Sequence, residues 1–161
     1  MIELAAKDIM DTDFKTIHPD VPVKKAVRLI FEGKTRTTGY KTISLMVTDD
    51  LNQLVGVISM FDVLYHLRPA FLNYGLDSIS LWQGELEPYL EHFNHLTVEQ
   101  IMTGSVLTVK PDDHLMVVID RMVKKKLRRL PVVEDNKILG IVYISDVFSR
   151  LCQTWLKSDF E

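Results

Sequence analysis

The strongest constraint on this chain is that it contains the same unit twice. Lys7-Asp8-Ile9-Met10 returns as Glu99-Gln100-Ile101-Met102, and Thr16-Ile17-His18-Pro19-Asp20 returns as Thr108-Val109-Lys110-Pro111-Asp112, both 92 residues on. Two matches in one register define a repeat, and a repeat has to be found before any fold is argued. Leu54-Val55-Gly56-Val57-Ile58 answers Ile138-Leu139-Gly140-Ile141-Val142 only 84 residues on. The first copy therefore holds extra residues between its helix and its last strand, and the Gly-, Thr- and Lys-rich stretch from Glu32 to Thr42 is where they fall. A unit of roughly 55 to 65 residues has a marginal core by itself, and packing against a second copy is the natural remedy.

Each copy predicts the same elements. A short β-branched strand (Lys15 to His18; Val106 to Val109) leads through an Asp-containing turn into helical spacing, at Val23, Ala26, Val27, Ile30 and Phe31 and again at Leu115, Val118, Ile119, Met122 and Val123. Pro22 suits the first helical turn. Two strands follow, Ile43 to Val47 with Leu54 to Ser59, and Leu130 to Val133 with Ile138 to Ile144. Polar turns at Asp49-Asp50-Leu51-Asn52 and Glu134-Asp135-Asn136-Lys137 join them, and closing helices begin near Ser59 and Ser145. The expected class is α/β, in the α+β sense of two pseudo-symmetric β-α-β-β-α units packed as one module. Expected boundaries are 1–67 for the first unit, 68–96 for a partly helical linker, 97–156 for the second unit and 157–161 for a tail. The linker carries Pro69, Gly75, Gly84 and Pro88 as breakers, a short helix at Tyr89 to Phe93, and apolar surface at Phe71, Tyr74 and Trp82.

Nineteen Lys and Arg against 22 Asp and Glu give a net charge of −3, so no global basic field draws the chain to nucleic acid or an anionic membrane. Any anion site must be local. The single cysteine, Cys152, excludes an intrachain disulfide and a Cys-rich metal site. No segment approaches 18 consecutive apolar residues, and Met1 to Asp8 lacks the basic and apolar regions of a secretory signal. The expected location is the cytoplasm.

The most informative stretches are Gly56-Val57-Ile58-Ser59-Met60-Phe61-Asp62 and Gly140-Ile141-Val142-Tyr143-Ile144-Ser145-Asp146. The Ser59-x-x-Asp62 spacing reads in two ways. One is a capping box, with Ser59 accepting a backbone N–H and Asp62 favouring the helix dipole. The other is a ligand corner, since a carboxylate between strand and helix accepts hydrogen bonds from ribose hydroxyls while small strand residues leave a slot for a base. Catalytic alternatives fail on chemistry. Gly33-Lys34-Thr35 lacks the earlier glycine of a phosphate loop, position 28 being Arg, and in Gly39-Tyr40-Lys41-Thr42 the lysine is displaced by one. His92-x-x-His95 with Glu91 lacks a third ligand, and His18, His66 and His114 show no partner at nucleophile-base spacing. Neither catalytic residues nor metal ligands are expected.

The paired glycine-to-aspartate corners, the Ile-Met opening of each copy and the Thr-Val-Lys-Pro step together resemble a tandem pair of cystathionine-β-synthase (CBS) domains, the Bateman module. The resemblance covers both repeats. It implies two units about a pseudo-twofold axis, up to two nucleotide sites in the cleft between them, and ribose held by the corner aspartates Asp62 and Asp146. It also implies that the cations of Arg128-Arg129-Leu130-Pro131-Val132 reach the phosphates, for which the planar guanidinium fork is suited. The run Lys124-Lys125-Lys126 reads instead as a solvated helix end. Thr16, Thr108, Ser59 and Tyr143 complete the implied nucleotide-binding set. Two departures stand out: Tyr143 replaces the expected Ser or Thr, and Thr42-Ile43-Ser44-Leu45-Met46 of the first copy lacks both the cations and the proline. Arg128 and Arg129 are then expected to serve the Ser59–Asp62 corner across the cleft.

The implied function is non-enzymatic: a regulatory module that binds an adenosine nucleotide (AMP, ADP or ATP) or S-adenosylmethionine and signals by conformational change to a partner outside this chain. The alternative is a structural dimerisation module with empty or blocked clefts. The resemblance also implies a homodimer, with Val63, Leu64, Val147, Phe148 and Trp155 available for internal or dimer packing. From the charge balance and hydropathy, neither nucleic acid nor membrane is expected as a partner.

Overall fold

A computed structural model describes residues 4–33, 35–36, 39, 41, 44–69 and 86–157. After a 3-10 turn at Ala6–Asp8 come β1 (Thr16–Ile17), α1 (Val23–Phe31), β2 (Ser44–Thr48), β3 (Leu54–Ser59), α2 (Met60–Leu67), α3 (Glu87–Phe93) and α4 (Val98–Ile101). The second half supplies α5 (Leu115–Lys125), β4 (Arg129–Glu134), β5 (Lys137–Tyr143) and α6 (Ile144–Lys157). The chain is an α/β protein built from two copies of one unit. Phe71, Tyr74, Trp82, Gly75 and Gly84 of the linker, Ile43 at the start of the expected second strand, and 158–161 of the tail lie outside the described residues.

In the first repeat β1 pairs in parallel with β2, Thr16 opposite Met46 and Ile17 opposite Val47, and β3 lies beside β2. In the second repeat the expected opening strand shrinks to one parallel bridge, Val109 to Val132. The N–H of Val109 reaches the Pro131 carbonyl at 3.0 Å and its carbonyl accepts from Val133 at 2.9 Å. Two residues on stands Pro111, with no N–H for a next rung, so the ladder stops. The β4–β5 hairpin turns at Asp135 and Asn136, whose φ values of 51° and 64° are those of a type I′ turn and suit these side chains. The long interval of the first copy falls between α1 and β2, where the second copy has only a short turn after Lys125.

The compact units do not coincide with the repeats read along the chain. One unit gathers Met1–Phe14, Asn52–Leu54 and Leu107–Glu161; the other gathers Lys15–Leu51 and Val55–Val106. The repeats have exchanged their opening segments. Ala6, with Leu4, Ile9 and Met10, packs into the core of Val118, Leu130 and Val142, while Val98 and Ile101, with Met102, pack into the core of Val23, Val47 and Ile58. The backbone bonds repeat pair for pair. Ala6 N–H donates to the Asp113 carbonyl and Val98 N–H to that of Val21, both at 2.9 Å. Lys7 donates to Pro111 and Glu99 to Pro19, both at 3.0 Å. Leu115 donates to Leu4 at 2.8 Å and Val23 to Leu96 at 2.9 Å. Apolar periodicity sets which face of a segment is buried and leaves open against which copy.

The exchange also accounts for the strand glycines. A Cβ on Gly56 would lie 2.5 Å from Met102 Sδ and 3.0 Å from the Thr103 carbonyl. On Gly140 it would lie 2.8 Å from Met10 Sδ and 2.9 Å from the Asp11 carbonyl. In each unit the incoming methionine and its neighbour's backbone cross the last strand where only hydrogen fits.

Candidate functional site

Where β3 runs into α2, Ser59 has extended backbone (φ −125°, ψ 167°) and caps the helix, which brings Asp62 to its third position. The Asp62 N–H donates to Ser59 Oγ at 3.3 Å. Asp62 Oδ2 accepts the Ser59 N–H at 2.7 Å and the Ser59 hydroxyl at 2.8 Å. The capping box is therefore formed. The other carboxylate oxygen has a different partner: Thr103 Oγ1 donates to Asp62 Oδ1 at 2.9 Å.

A carboxylate offers about four lone-pair sites, two on each oxygen. Among the described residues Oδ2 has both filled and Oδ1 has one filled. Asp62 is half-buried, held from two sides, and left with one acceptor position. Sequence reasoning missed Thr103. The residue follows the Ile-Met opening of the second copy, 41 positions from Asp62, and only the segment exchange brings the two together.

The second corner carries different side chains. Tyr143, ending β5, stands where Ser59 stands, and its side chain has no short oxygen to cap α6. The first helical N–H, that of Ile144, donates to the backbone carbonyl of Arg128 at 2.9 Å. Asp146 lies in the first turn of α6, half-buried. Asp11 occupies the place that Thr103 has in the other unit, as its backbone pairing to Ile141 shows. An ionised carboxylate accepts hydrogen bonds and donates none, so the Thr103–Asp62 bond has no counterpart between Asp11 and Asp146.

The expected site residues fall into two groups. Thr16, Ser59 and Asp62 belong to the unit of the first repeat, and Thr16 is exposed on β1. Thr108, Arg128, Arg129, Tyr143 and Asp146 belong to the other. Arg129 pairs with Tyr143 across β4 and β5, and the Ile144–Arg128 bond ties Arg128 to the same end. The carbonyl of Thr108 accepts Arg121 Nη1 at 2.7 Å. Lys124 bonds Asp120 at 3.0 Å and Lys126 ends α5 with φ 51°, the solvated helix end expected of the lysine run. Beside Asp146, a cavity of about 210 Å³ is lined by Asp8, Ile9, Ser149, Arg150 and Gln153. That is below the roughly 300–1,000 Å³ of ordinary small-molecule sites.

Three of the histidines have named neighbours. His114 caps α5, its Nδ1 accepting the Met116 N–H at 3.1 Å, and His18 Nε2 lies 2.9 Å from Asp50 Oδ1. His95 lies 4.0 Å from Glu91 on an exposed face.

The sequence profile of the CBS domain matches residues 6–69 and 98–152. The chain is 31% identical over 145 residues to CBS domain-containing protein CBSX2, chloroplastic, of Arabidopsis thaliana, covering 85% of this chain and 58% of that protein. The crystal structure of CBSX2 from Arabidopsis thaliana superposes with a TM-score of 0.71 at 26% identity, over 95% of this chain and 97% of that one. The structure of CBSX2 in complex with AMP gives 0.67 at 25% identity, over 92% and 97%. A homoserine O-acetyltransferase from Methanohalobium evestigatum is 28% identical over 147 residues, 91% of this chain, yet the chain spans only 24% of that protein's length.

Proposed function

Because the chain belongs to the CBS domain family and carries two copies of that domain, we propose that it is a non-enzymatic regulatory module. In this reading it binds an adenosine nucleotide and passes the binding event to a protein partner by a change of conformation. The observation that carries the reading is Asp62, a carboxylate fixed by Ser59 and Thr103 with acceptor capacity in reserve. Such a group, already oriented, takes a ribose hydroxyl without the ordering cost that a loose side chain would incur. Phosphate recognition is assigned to Arg128 and Arg129. That CBSX2 forms a complex with AMP supports an adenine nucleotide as the ligand class.

Calorimetric titration with AMP, ADP and ATP tests this. The expected result is saturable binding of at least one with Kd below about 1 mM, equivalent to about −4 kcal/mol. S-adenosylmethionine, which shares the adenosine but has no phosphate, is expected to bind more weakly. Failure of all three nucleotides to bind overturns the reading.

One observation favours a second reading, a structural dimerisation module. The closing helices leave large apolar side chains in solvent, Phe61 at 76% and Trp155 at 77% exposure. Dimerisation without nucleotide binding is the result that selects it.

A further inference from the structure

We infer that Thr103 sets how the site reads ribose: with the Thr103 hydroxyl in place, Asp62 accepts one of the two ribose hydroxyls and not both. The inference rests on the nucleotide reading above and specifies its ribose contact. Its ground is the hydrogen-bond inventory of the Asp62 carboxylate. Both sites on Oδ2 are taken by Ser59, one through the backbone and one through the hydroxyl. The capping box of α2 fixes the backbone bond, and it holds Ser59 Oγ, which accepts the Asp62 N–H, beside the same carboxylate oxygen to which its hydroxyl donates. One site on Oδ1 is taken by Thr103. What remains is a single charged acceptor.

Thr103 is itself well held. Its N–H donates to the Val57 carbonyl at 2.9 Å and its carbonyl accepts the Val57 N–H at 3.0 Å, so its hydroxyl is presented to Asp62 by a paired backbone. The side chain is exposed, and valine keeps its shape while losing the hydroxyl. Substitution therefore changes the carboxylate's inventory while the backbone pairing stays. In the other unit Asp11 takes this place and supplies no hydroxyl, so the inference belongs to the Asp62 corner alone.

A ribose hydroxyl on the charged acceptor contributes about 10- to 100-fold in affinity, and one left to neutral groups or water about 2- to 10-fold at most. The experiment compares AMP, 2′-deoxy-AMP and 3′-deoxy-AMP by calorimetry on the wild-type chain, Thr103→Val and Thr103→Ser. In the wild type one deoxy analogue should lose at least about fivefold more affinity than the other. Thr103→Val opens the second site on Oδ1, so both analogues should then lose similarly against AMP, and Thr103→Ser should restore the wild-type ratio. Equal losses in the wild type, or an unchanged ratio in Thr103→Val, overturn the inference and leave the nucleotide reading standing. Absence of AMP, ADP and ATP binding removes the nucleotide reading and this inference with it.

Discussion

Asp11 and Ile141 exchange both of their backbone hydrogen bonds, Asp11 N–H to the Ile141 carbonyl at 2.8 Å and Ile141 N–H to the Asp11 carbonyl at 2.9 Å. Val57 and Thr103 do the same in the other unit. Each pair gives the last strand of one repeat a neighbour taken from the opening of the other, which satisfies edge groups that a two-stranded hairpin would leave open. The pairing is also what carries Thr103 to Asp62 and Asp11 to the place facing the second corner. One exchange thus shapes both the cores and the candidate sites.

The residue before each paired strand position must be glycine for that crossing to occur. Gly140→Ala puts a Cβ 2.9 Å from the Asp11 carbonyl, a backbone atom that moves only with the segment. Gly56→Ala meets the Thr103 carbonyl at 3.0 Å, and each position also meets the incoming methionine, Met102 Sδ at 2.5 Å and Met10 Sδ at 2.8 Å. Urea denaturation should show losses of about 1–3 kcal/mol for both. Two variants as stable as wild type would mean that the segments do not cross these strands so closely.

Residue periodicity carried a good part of this. Leu54 to Ser59 is a strand with those bounds, and α1 spans Val23–Phe31 as the apolar spacing predicts. Asp135-Asn136 turns the hairpin because both residues tolerate positive φ. Short elements were less legible. The opening strand of the second repeat is a single bridge, because Pro111 denies it a further rung. The Ile-Met openings were seen as repeats, but nothing local in Ile9-Met10 says which core buries it. Thr103 was missed for the same reason: its partner is set by the exchange, 41 residues away. The Ser59-x-x-Asp62 spacing did announce the capping box that formed.

Capping and ligand binding at Asp62 separate by a control within the same chain. Thr97 and Gln100 form a second capping box, Gln100 Oε1 accepting the Thr97 N–H at 2.8 Å. Gln100→Ala and Asp62→Ala should each lower stability by about 1 kcal/mol. Only Asp62→Ala should also weaken AMP, by about 10- to 100-fold, as expected for loss of a hydrogen bond to a charged group. Equal affinities in the two variants would reduce Asp62 to its capping role.

Lys7, in the exchanged 3-10 turn, bonds Asp112 at 2.5 Å. That hydrogen bond, the charge of Asp112 and, more weakly, that of Asp8 raise the ammonium's pKa above its ordinary 10.5 against a small opposing effect of burial. A raised lysine lends stability that is fully present below 10.5 and is lost as pH climbs through the raised folded value. Both side chains are exposed, so the effect on folding is small and salt-sensitive. The titration itself is the readout. By NMR the Lys7 midpoint should lie above 10.5 and should fall toward it in Asp112→Asn.

The closing helices divide their apolar residues in a way that bears on self-association. Val147 is buried and Val63 packs against its own core, whereas Leu64 and Phe148 stand 58% and 69% exposed. Sedimentation at tens of micromolar protein should show a species of about twice 18.6 kDa. Trp155→Ser with Phe148→Ser should shift it to monomer. A monomer in the wild type would remove dimerisation and, with it, the structural alternative to nucleotide binding.

Arg128 and Arg129 are tested through the part of the ligand they are assigned to hold. A guanidinium bonded to phosphate contributes through charge-assisted hydrogen bonds that adenosine, lacking the phosphate, cannot receive. Arg128→Ala and Arg129→Ala should therefore weaken AMP by about tenfold or more while leaving adenosine within about twofold. The AMP loss should be larger at about 0.01 M than at about 1 M salt, where screening shortens the reach of charge to about 3 Å. Lys124→Ala is the contrasting variant, since Lys124 already bonds Asp120 one helical turn back. It should change neither ligand. If AMP and adenosine lose affinity equally in the arginine variants, these residues support the fold of the β4–β5 end and do not read phosphate.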